Sequence, residues 1–185
     1  IGLLSLTATD YPVYFEGAQF VHFLLGPATV ALAVPLWRNG AAVRRSLLPI
    51  AAALVAGSLT AVASALAVAW LLGAPGPVLA SLAPKSVTAP IAMGLAEQLG
   101  GIPSLSAVLV IATGILGAVI VTPLMNALRI RDFAARGFAV GVTSHGIGTA
   151  RAFQVNELAG TFAGIGMGLN GAVTALIVMA LVAFV

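Results

Sequence analysis

Residues 46 to 84 read SLLPIAAALVAGSLTAVASALAVAWLLGAPGPVLASLAP, a run without one charged side chain. A helix crosses about 30 Å of hydrocarbon with about 20 mainly apolar residues, so this run holds a complete span with apolar chain to spare. The span falls at about 47 to 73. What is left carries Pro75, Pro77 and Pro84, which remove backbone donors and interrupt a helix. A spanning helix next to a broken apolar segment is therefore the local pattern, and it recurs. Uncharged windows also cover 17 to 37, 98 to 128 and 158 to 185. They place further spans at about 105 to 128 and 158 to 184. Gly26-Pro27 with Pro35, then Pro84 and Pro90, then Gly141, Gly146 and Gly148 mark broken or re-entrant segments between them. The expected fold is all-α: a polytopic helical membrane protein with interrupted helices.

Composition supports the same class. Of 185 residues, 61% are hydrophobic and 7% charged, with a mean hydropathy of +1.13. A soluble domain carries roughly 25% charged residues and a disordered chain has low hydrophobicity, so both classes are excluded. There is no Cys, hence no disulfide framework. The net charge of +3 does not point to nucleic acid, because the basic residues form no stripe that could follow a phosphate backbone. Aromatic residues are 6%, against 21 Gly and 10 Pro, a balance that suits packed, interrupted helices better than a β-barrel with aromatic girdles. Residues 1 to 8 read as the tail of an apolar segment, which predicts a native chain that starts earlier. Asp10, Tyr11, Pro12, Tyr14 and Glu16 read as an interfacial loop.

The chain reads as a single membrane domain over 1–185, with repeat units at approximately 20–73, 78–128 and 137–184. A hexapeptide carries the repeat: Gly57-Ser-Leu-Thr-Ala-Val62, Gly114-Ile-Leu-Gly-Ala-Val119 and Gly168-Leu-Asn-Gly-Ala-Val173. Arg38, Arg44 and Arg45 precede the first span, and Arg129, Arg131 and Arg136 follow the second. The positive-inside rule asks for both groups on the cytoplasmic side. Two spans already return the chain to that side, so residues 74 to 104 must make no net crossing. A re-entrant hairpin does this and leaves neighbouring units inverted, the pattern of secondary transporters whose broken helices meet at the midplane. For the first broken segment, a re-entrant and a fully crossing placement both fit.

Lys85 stands alone in Ala83-Pro-Lys-Ser-Val-Thr-Ala-Pro90. A Lys at membrane depth costs about 2.5 to 3.5 kcal/mol on insertion scales, so an isolated one implies a role. Pro84 stops one helix, and Ser86 or Thr88 can cap the next. Free N–H groups, hydroxyls and an ammonium then gather where a carboxylate is recognised. The ordinary alternative is a Lys that snorkels to the interface. The third broken segment, Thr143-Ser-His-Gly-Ile-Gly-Thr-Ala-Arg151, gathers Ser144, His145, Thr149 and Arg151. Arg151 is either a bidentate carboxylate grip or an interfacial anchor; His145 either reads a hydroxyl, carries a proton or is structural. Glu97, beside Gln98, pairs with Lys85 or Arg151, exchanges a proton, or faces solvent. Asn156 and Glu157 read as helix-start residues, Asn170 as a weaker site residue, and Gly160, Gly164 and Gly168 as a close-packing face. Ser144 and His145 have no acid nearby to orient a base, and His22 and His145 give no metal-ligand spacing. The expectation is no enzyme, no metal and no cofactor beyond a coupling ion, H+ or Na+.

Several phrases resemble the LrgB/CidB family: Phe23-Leu-Leu-Gly-Pro-Ala-Thr-Val-Ala-Leu-Ala-Val-Pro-Leu36, Pro84-Lys-Ser-Val-Thr-Ala-Pro-Ile-Ala-Met93, Gly100-Gly-Ile-Pro-Ser104, Thr113-Gly-Ile-Leu-Gly-Ala118 and Ser144-His-Gly-Ile-Gly-Thr-Ala-Arg151. They run in order from about residue 15 to the C-terminus. The resemblance implies further N-terminal helices and one of two activities. Some bacterial members are antiholin-like or holin-like regulators of murein hydrolase export and autolysis that act with a small LrgA/CidA-type membrane protein. Others include the plastid glycolate/glycerate transporter and bacterial members linked to pyruvate uptake. It also implies the bacterial cytoplasmic (inner) membrane, or else the plastid inner envelope. The family's most recognisable motifs hold Lys85, Ser86, Thr88, Ser144, His145 and Arg151. The reading adopted is a secondary transporter of small 2-hydroxy or 2-oxo monocarboxylates working by alternating access. In it Lys85 and Arg151 match the charge, Ser86, Thr88 and Thr149 add hydrogen bonds, His145 reads the 2-substituent, and Glu97 or His145 takes the coupling proton. Antiholin-like regulation is the alternative. Expected partners are the lipid bilayer, a small carboxylate, a second copy of the chain in a homodimer and an LrgA/CidA-like protein, and not nucleic acid.

Overall fold

A computed structural model describes residues 33–183 together with Thr7, Val13, Glu16 and Gly17. The first broken segment's Gly26 and Pro27, and most of the 9 to 19 loop, lie outside the described residues. Every regular element among the described residues is a helix. Two short helices, α1 (Ala33–Arg38) and α2 (Gly40–Arg45), lead into the long α3 (Leu47–Leu71). Two more short ones follow, α4 (Gly76–Leu82) and α5 (Ala89–Gln98), then the long α6 (Pro103–Ala127). An interrupted α7 (Phe133–Val155) and the long α8 (Glu157–Ala183) complete the chain. Three of these helices, α3, α6 and α8, are long and apolar enough to cross a membrane.

Each boundary has a local cause. After α3, Gly73 takes φ +78 while its N–H bonds Trp70 O and that of Ala74 bonds Ala69 O, the paired closure of a Schellman turn. Gly100 ends α5 in the same way, with φ +72, its N–H bonding Glu97 O and that of Gly101 bonding Ala96 O. Arg129 ends α6 with φ 56, a left-handed conformation that costs a side chain of its kind about 1 kcal/mol or more. Asp132 starts α7 by accepting the Ala135 N–H at 2.9 Å. Asn156 starts α8 by accepting those of Leu158 and Ala159, the capping role its type predicts.

α7 is not one rod. Ser144 and His145 leave helical geometry, and the halves on either side, 133–143 and 146–155, fold back on each other. A Cβ added to Gly148 would lie 2.8 Å from Val140 Cγ2 and 3.0 Å from Val140 O, and Val140 and Ala152 share one apolar cluster. Residues eight and twelve apart would be about 12 and 18 Å apart along a straight helix. The hairpin packs flat on α8: Gly137 and Gly141 leave no room for a Cβ against the backbones of Ala159 and Ala163, and one on Gly166 would lie 2.8 Å from Phe138 O. Close approach was expected of Gly160, Gly164 and Gly168. Only Gly160 is tight, against Phe153, while Gly164 and Gly168 face open space because the hairpin covers the other side of α8.

The α4–α5 segment is also a hairpin, the first of the two in chain order. Ser106 Oγ bonds Ala92 O at 3.4 Å, Ile102 N–H bonds Ser81 Oγ at 2.7 Å, and Val87, Ala92 and Val110 form one cluster. α5 thus runs antiparallel to α6, and residues 83–88 form the tip. This hairpin is entered from the end of α3 and left into the start of α6; the α7 hairpin is entered from the end of α6 and left into α8. Because α6 lies between them, the two approach from opposite ends of α6, each followed by a helix long and apolar enough to cross a membrane.

The charges agree with that topology. Asn39 Nδ2 bonds Thr161 Oγ1 at 3.2 Å, which sets Arg38 beside the start of α8. Ser46, just after Arg44 and Arg45, lines a cavity with Asp132, next to Arg131. Arg136 and Arg151 line another, with Phe133 and Val155. Of the 8 basic residues, all but Lys85 therefore belong to one end, and Glu97 lies toward the other. The chain lacks Cys, so single cysteines report sidedness directly. Cysteines replacing Arg131 and Glu97 are expected to react with an impermeant maleimide from opposite sides of the membrane; labelling of both from one side contradicts the hairpins. Gly141→Val is expected to destabilise the detergent-solubilised protein by roughly 1 to 3 kcal/mol or more through overpacking, whereas Gly164→Ala, which meets only open space, does not lower the unfolding temperature.

Candidate functional site

The two hairpin tips meet at the middle of the three spans, on a buried side chain. Asn170, 0% exposed on α8, donates from Nδ2 to Ser86 O at 3.2 Å and to Val142 O at 3.0 Å. Its Oδ1 accepts from Ser58 Oγ of α3 at 2.6 Å and from Thr174 Oγ1 at 3.2 Å. Both N–H groups and both lone pairs are therefore used. One partner carbonyl belongs to each hairpin, so a single amide ties both tips to α3 and α8.

The second tip is seated by α6. His145 is 4% exposed and holds φ 41, a conformation that side chains other than glycine's rarely adopt. Its Nε2 donates to Val110 O at 2.9 Å, a carbonyl acceptor that requires the proton on that nitrogen. A Cβ on Gly114 would lie 2.8 Å from its Cε1, and one on Gly117 would collide with Ser144. Thr149 Oγ1 donates to His145 O, one helical turn back, at 2.8 Å. Thr143 bonds Ala139 O at 2.9 Å and lies 3.2 Å from Ser144 Oγ.

At the first tip, Lys85 is partly buried and its Nζ donates to Ser86 Oγ at 3.2 Å. Pro84 is buried at the turn and Pro90 lies in the first turn of α5. Thr88 occupies the N-cap position but makes no side-chain cap bond. Among the described residues no carboxylate forms an ion pair with Lys85. Glu97 is exposed, in the last turn of α5 away from the tip.

The structure thus brings Lys85, Ser86, Thr88, Ser144, His145 and Thr149 to one membrane level, with Gly146 and Gly148 shaping the second turn. It does not bring Arg151 there. That residue lies toward the base of its hairpin, bonds Gln154 Oε1 at 3.4 Å and shares a cavity with Arg136. Ser58, Thr143 and the dominant part of Asn170 escaped the sequence reading, yet the repeated hexapeptide contained a signal. Gly57-Ser58, Gly114 with Gly117, and Asn170 are its members, and each of them meets a tip. Asn170 stands where the other two copies have Leu59 and Leu116.

Asn170→Leu strands buried hydrogen-bonding groups on both hairpins, at about 1 to 3 kcal/mol each. It is expected to abolish folded, monodisperse protein, and Ser58→Ala to lower stability by about 1 kcal/mol. Thermal unfolding in detergent checks both, and an Asn170→Leu protein as stable as the parent contradicts the clamp.

The comparisons with known proteins agree with the sequence resemblance. The family model described as the LrgB-like family matches residues 1–184. The uncharacterized protein YwbG of Bacillus subtilis (strain 168) is 38% identical over 175 residues, which cover 94% of this chain and 77% of that protein. YxaC of the same strain is 34% identical over 169 residues, 91% of this chain and 74% of its own. The antiholin-like protein LrgB of Bacillus mycoides (strain KBAB4) is 28% identical over 187 residues, 100% of this chain and 81% of its own. No solved structure matches. The chain belongs to the LrgB-like family.

Proposed function

We propose that this chain is the core of a carrier that moves a small 2-hydroxy or 2-oxo monocarboxylate by alternating access. The observation that carries the reading is the meeting of two re-entrant hairpins, inserted from opposite faces, at the level of Asn170. Each hairpin is then a gate to one side, and a solute held between the tips faces one compartment at a time. Lys85 is the cation for the carboxylate, because it is set apart from the basic end and has no acid partner among the described residues. Ser86, Thr88, Thr143 and Ser144 supply hydroxyls for the solute's oxygen atoms. His145 is the group suited to a coupling proton, since Glu97 lies at the exposed base of its hairpin. Arg151 leaves the binding set proposed from the sequence and acts as an anchor at the basic face.

A second reading has direct support that the first lacks: the names of relatives. The relatives from Bacillus mycoides and Bacillus cereus are antiholin-like proteins, which favours a role in regulating murein hydrolase export and autolysis beside a small LrgA/CidA-type protein. Either activity suits a bacterial cytoplasmic membrane and a homodimer.

Uptake of labelled glycolate, glycerate, pyruvate and lactate into proteoliposomes holding the full-length protein, with and without a pH gradient, separates the readings. Saturable uptake of at least one is expected. Lys85→Met should reduce it at least about tenfold, the loss of one charge-assisted contact, while Arg151→Met leaves it within about twofold. Folded, inserted protein that moves none of them overturns the carrier reading and leaves antiholin-like regulation in its place.

A further inference from the structure

A cleft of about 470 Å³ runs between α3 and the first half of α7. Its walls come mainly from two helices lying side by side in the same direction, Ser46 to Gly57 on one and Asp132 to Thr143 on the other, with Phe162 of α8 added. Eleven residues of helix make it about 16 Å long. Pro49, Ile50, Ala53, Ala135, Phe138 and Phe162 give it an apolar lining. Pro49, Ala53 and Ala135 are exposed, so the cleft is open sideways along its length, toward the surroundings of the spans. An aqueous solute path would be enclosed; an open apolar slot about half as long as the roughly 30 Å hydrocarbon core fits one acyl chain of a single leaflet.

The mouth has a charge of its own. Arg45 and Arg131 are exposed and adjoin the mouth residues Ser46 and Asp132 in the chain, and the exposed Arg44 lies one residue further from the mouth. Arg136 is committed elsewhere, to Ile130 O and to Asn126 Oδ1 at 2.7 Å. The Asp132 carboxylate also faces the mouth, but it is tied to the Ala135 N–H at 2.9 Å. Three guanidinium groups with no ion-pair partner among the described residues, against one occupied carboxylate, leave the rim cationic, over a slot that is apolar below.

We infer that this cleft binds one acyl chain of an anionic phospholipid from the leaflet at the basic end, its phosphate held by Arg45 and Arg131 with Arg44 behind them. The bound chain packs between α3 and the second hairpin and ends beside Thr143 at the tip, so the lipid bears on how far that hairpin moves. This site is independent of which solute, if any, the protein carries.

Full-length protein in detergent, titrated with phosphatidylglycerol or phosphatidylcholine and followed by native mass spectrometry and thermal unfolding, tests it. Phosphatidylglycerol is expected to be retained and to raise the unfolding temperature, and phosphatidylcholine much less. Arg45→Ala and Arg131→Ala, both at exposed positions, should each lower phosphatidylglycerol affinity about fivefold. Ala139→Leu, which fills the cleft, should lower retention of both lipids and leave the headgroup preference intact. Glycerol phosphate, the headgroup without a chain, should not stabilise the protein. Equal retention of the two lipids, insensitivity to both arginine variants and to the filled cleft, or stabilisation by glycerol phosphate or by a free monocarboxylate in place of the lipid overturns the proposal.

Discussion

A break in a membrane helix frees backbone carbonyl and amide groups that hydrocarbon cannot satisfy, and the arrangement of this chain follows from how those groups are paired. Two hairpins break at membrane depth, and Asn170 takes a carbonyl from each while Ser58 and Thr174 complete its own bonding. Side chains add further bonds at the second tip: Thr149 Oγ1 donates to His145 O, and the His145 imidazole donates to Val110 O of α6. Among the described residues no buried side-chain polar atom is left without a partner. This explains how so apolar a chain tolerates irregular backbone at its centre. It also explains why the small residues of the hexapeptide sit where they do, since Gly114 and Gly117 give room to the tip that Asn170 helps to hold.

Opposed hairpins that share one anchoring level give the membrane domain two sides that differ in chemistry. The basic end collects all the arginines, and the first hairpin, with Lys85 at its tip and Glu97 at its base, enters from the other. The cation at the centre is therefore isolated from the cations that set topology. The strained φ of His145 is paired with a hydrogen bond and a glycine-lined seat, so the surroundings hold in place a conformation that would otherwise cost roughly 1 to 3 kcal/mol.

Much of this was legible in the sequence because its signals are local or compositional. Uncharged windows located α3, α6 and α8 to within a few residues, and the arginine groups required residues 74 to 104 to return to the side they entered from. Proline and glycine located both hairpin tips. Two matters were not legible, for a common reason: they depend on which side of a helix is covered. Arg151 lies six residues from His145 along the chain, but the hairpin geometry carries it toward the basic end. The glycine face of α8 was read at Gly160, Gly164 and Gly168, while tight packing falls at Gly137, Gly141 and Gly166, where the hairpin lies. Asn170 was underrated because one buried amide in an apolar span gives no sequence sign of bonding elements 84 and 112 positions away.

The most direct test of the account is an experimental structure of the full-length protein in lipid nanodiscs, read at Asn170. The account predicts the amide within hydrogen-bond distance of both Ser86 O and Val142 O, with residues 133–155 folded back at Ser144 and His145. A continuous helix through that segment, or an Asn170 amide that reaches only one of the two hairpins, would contradict it.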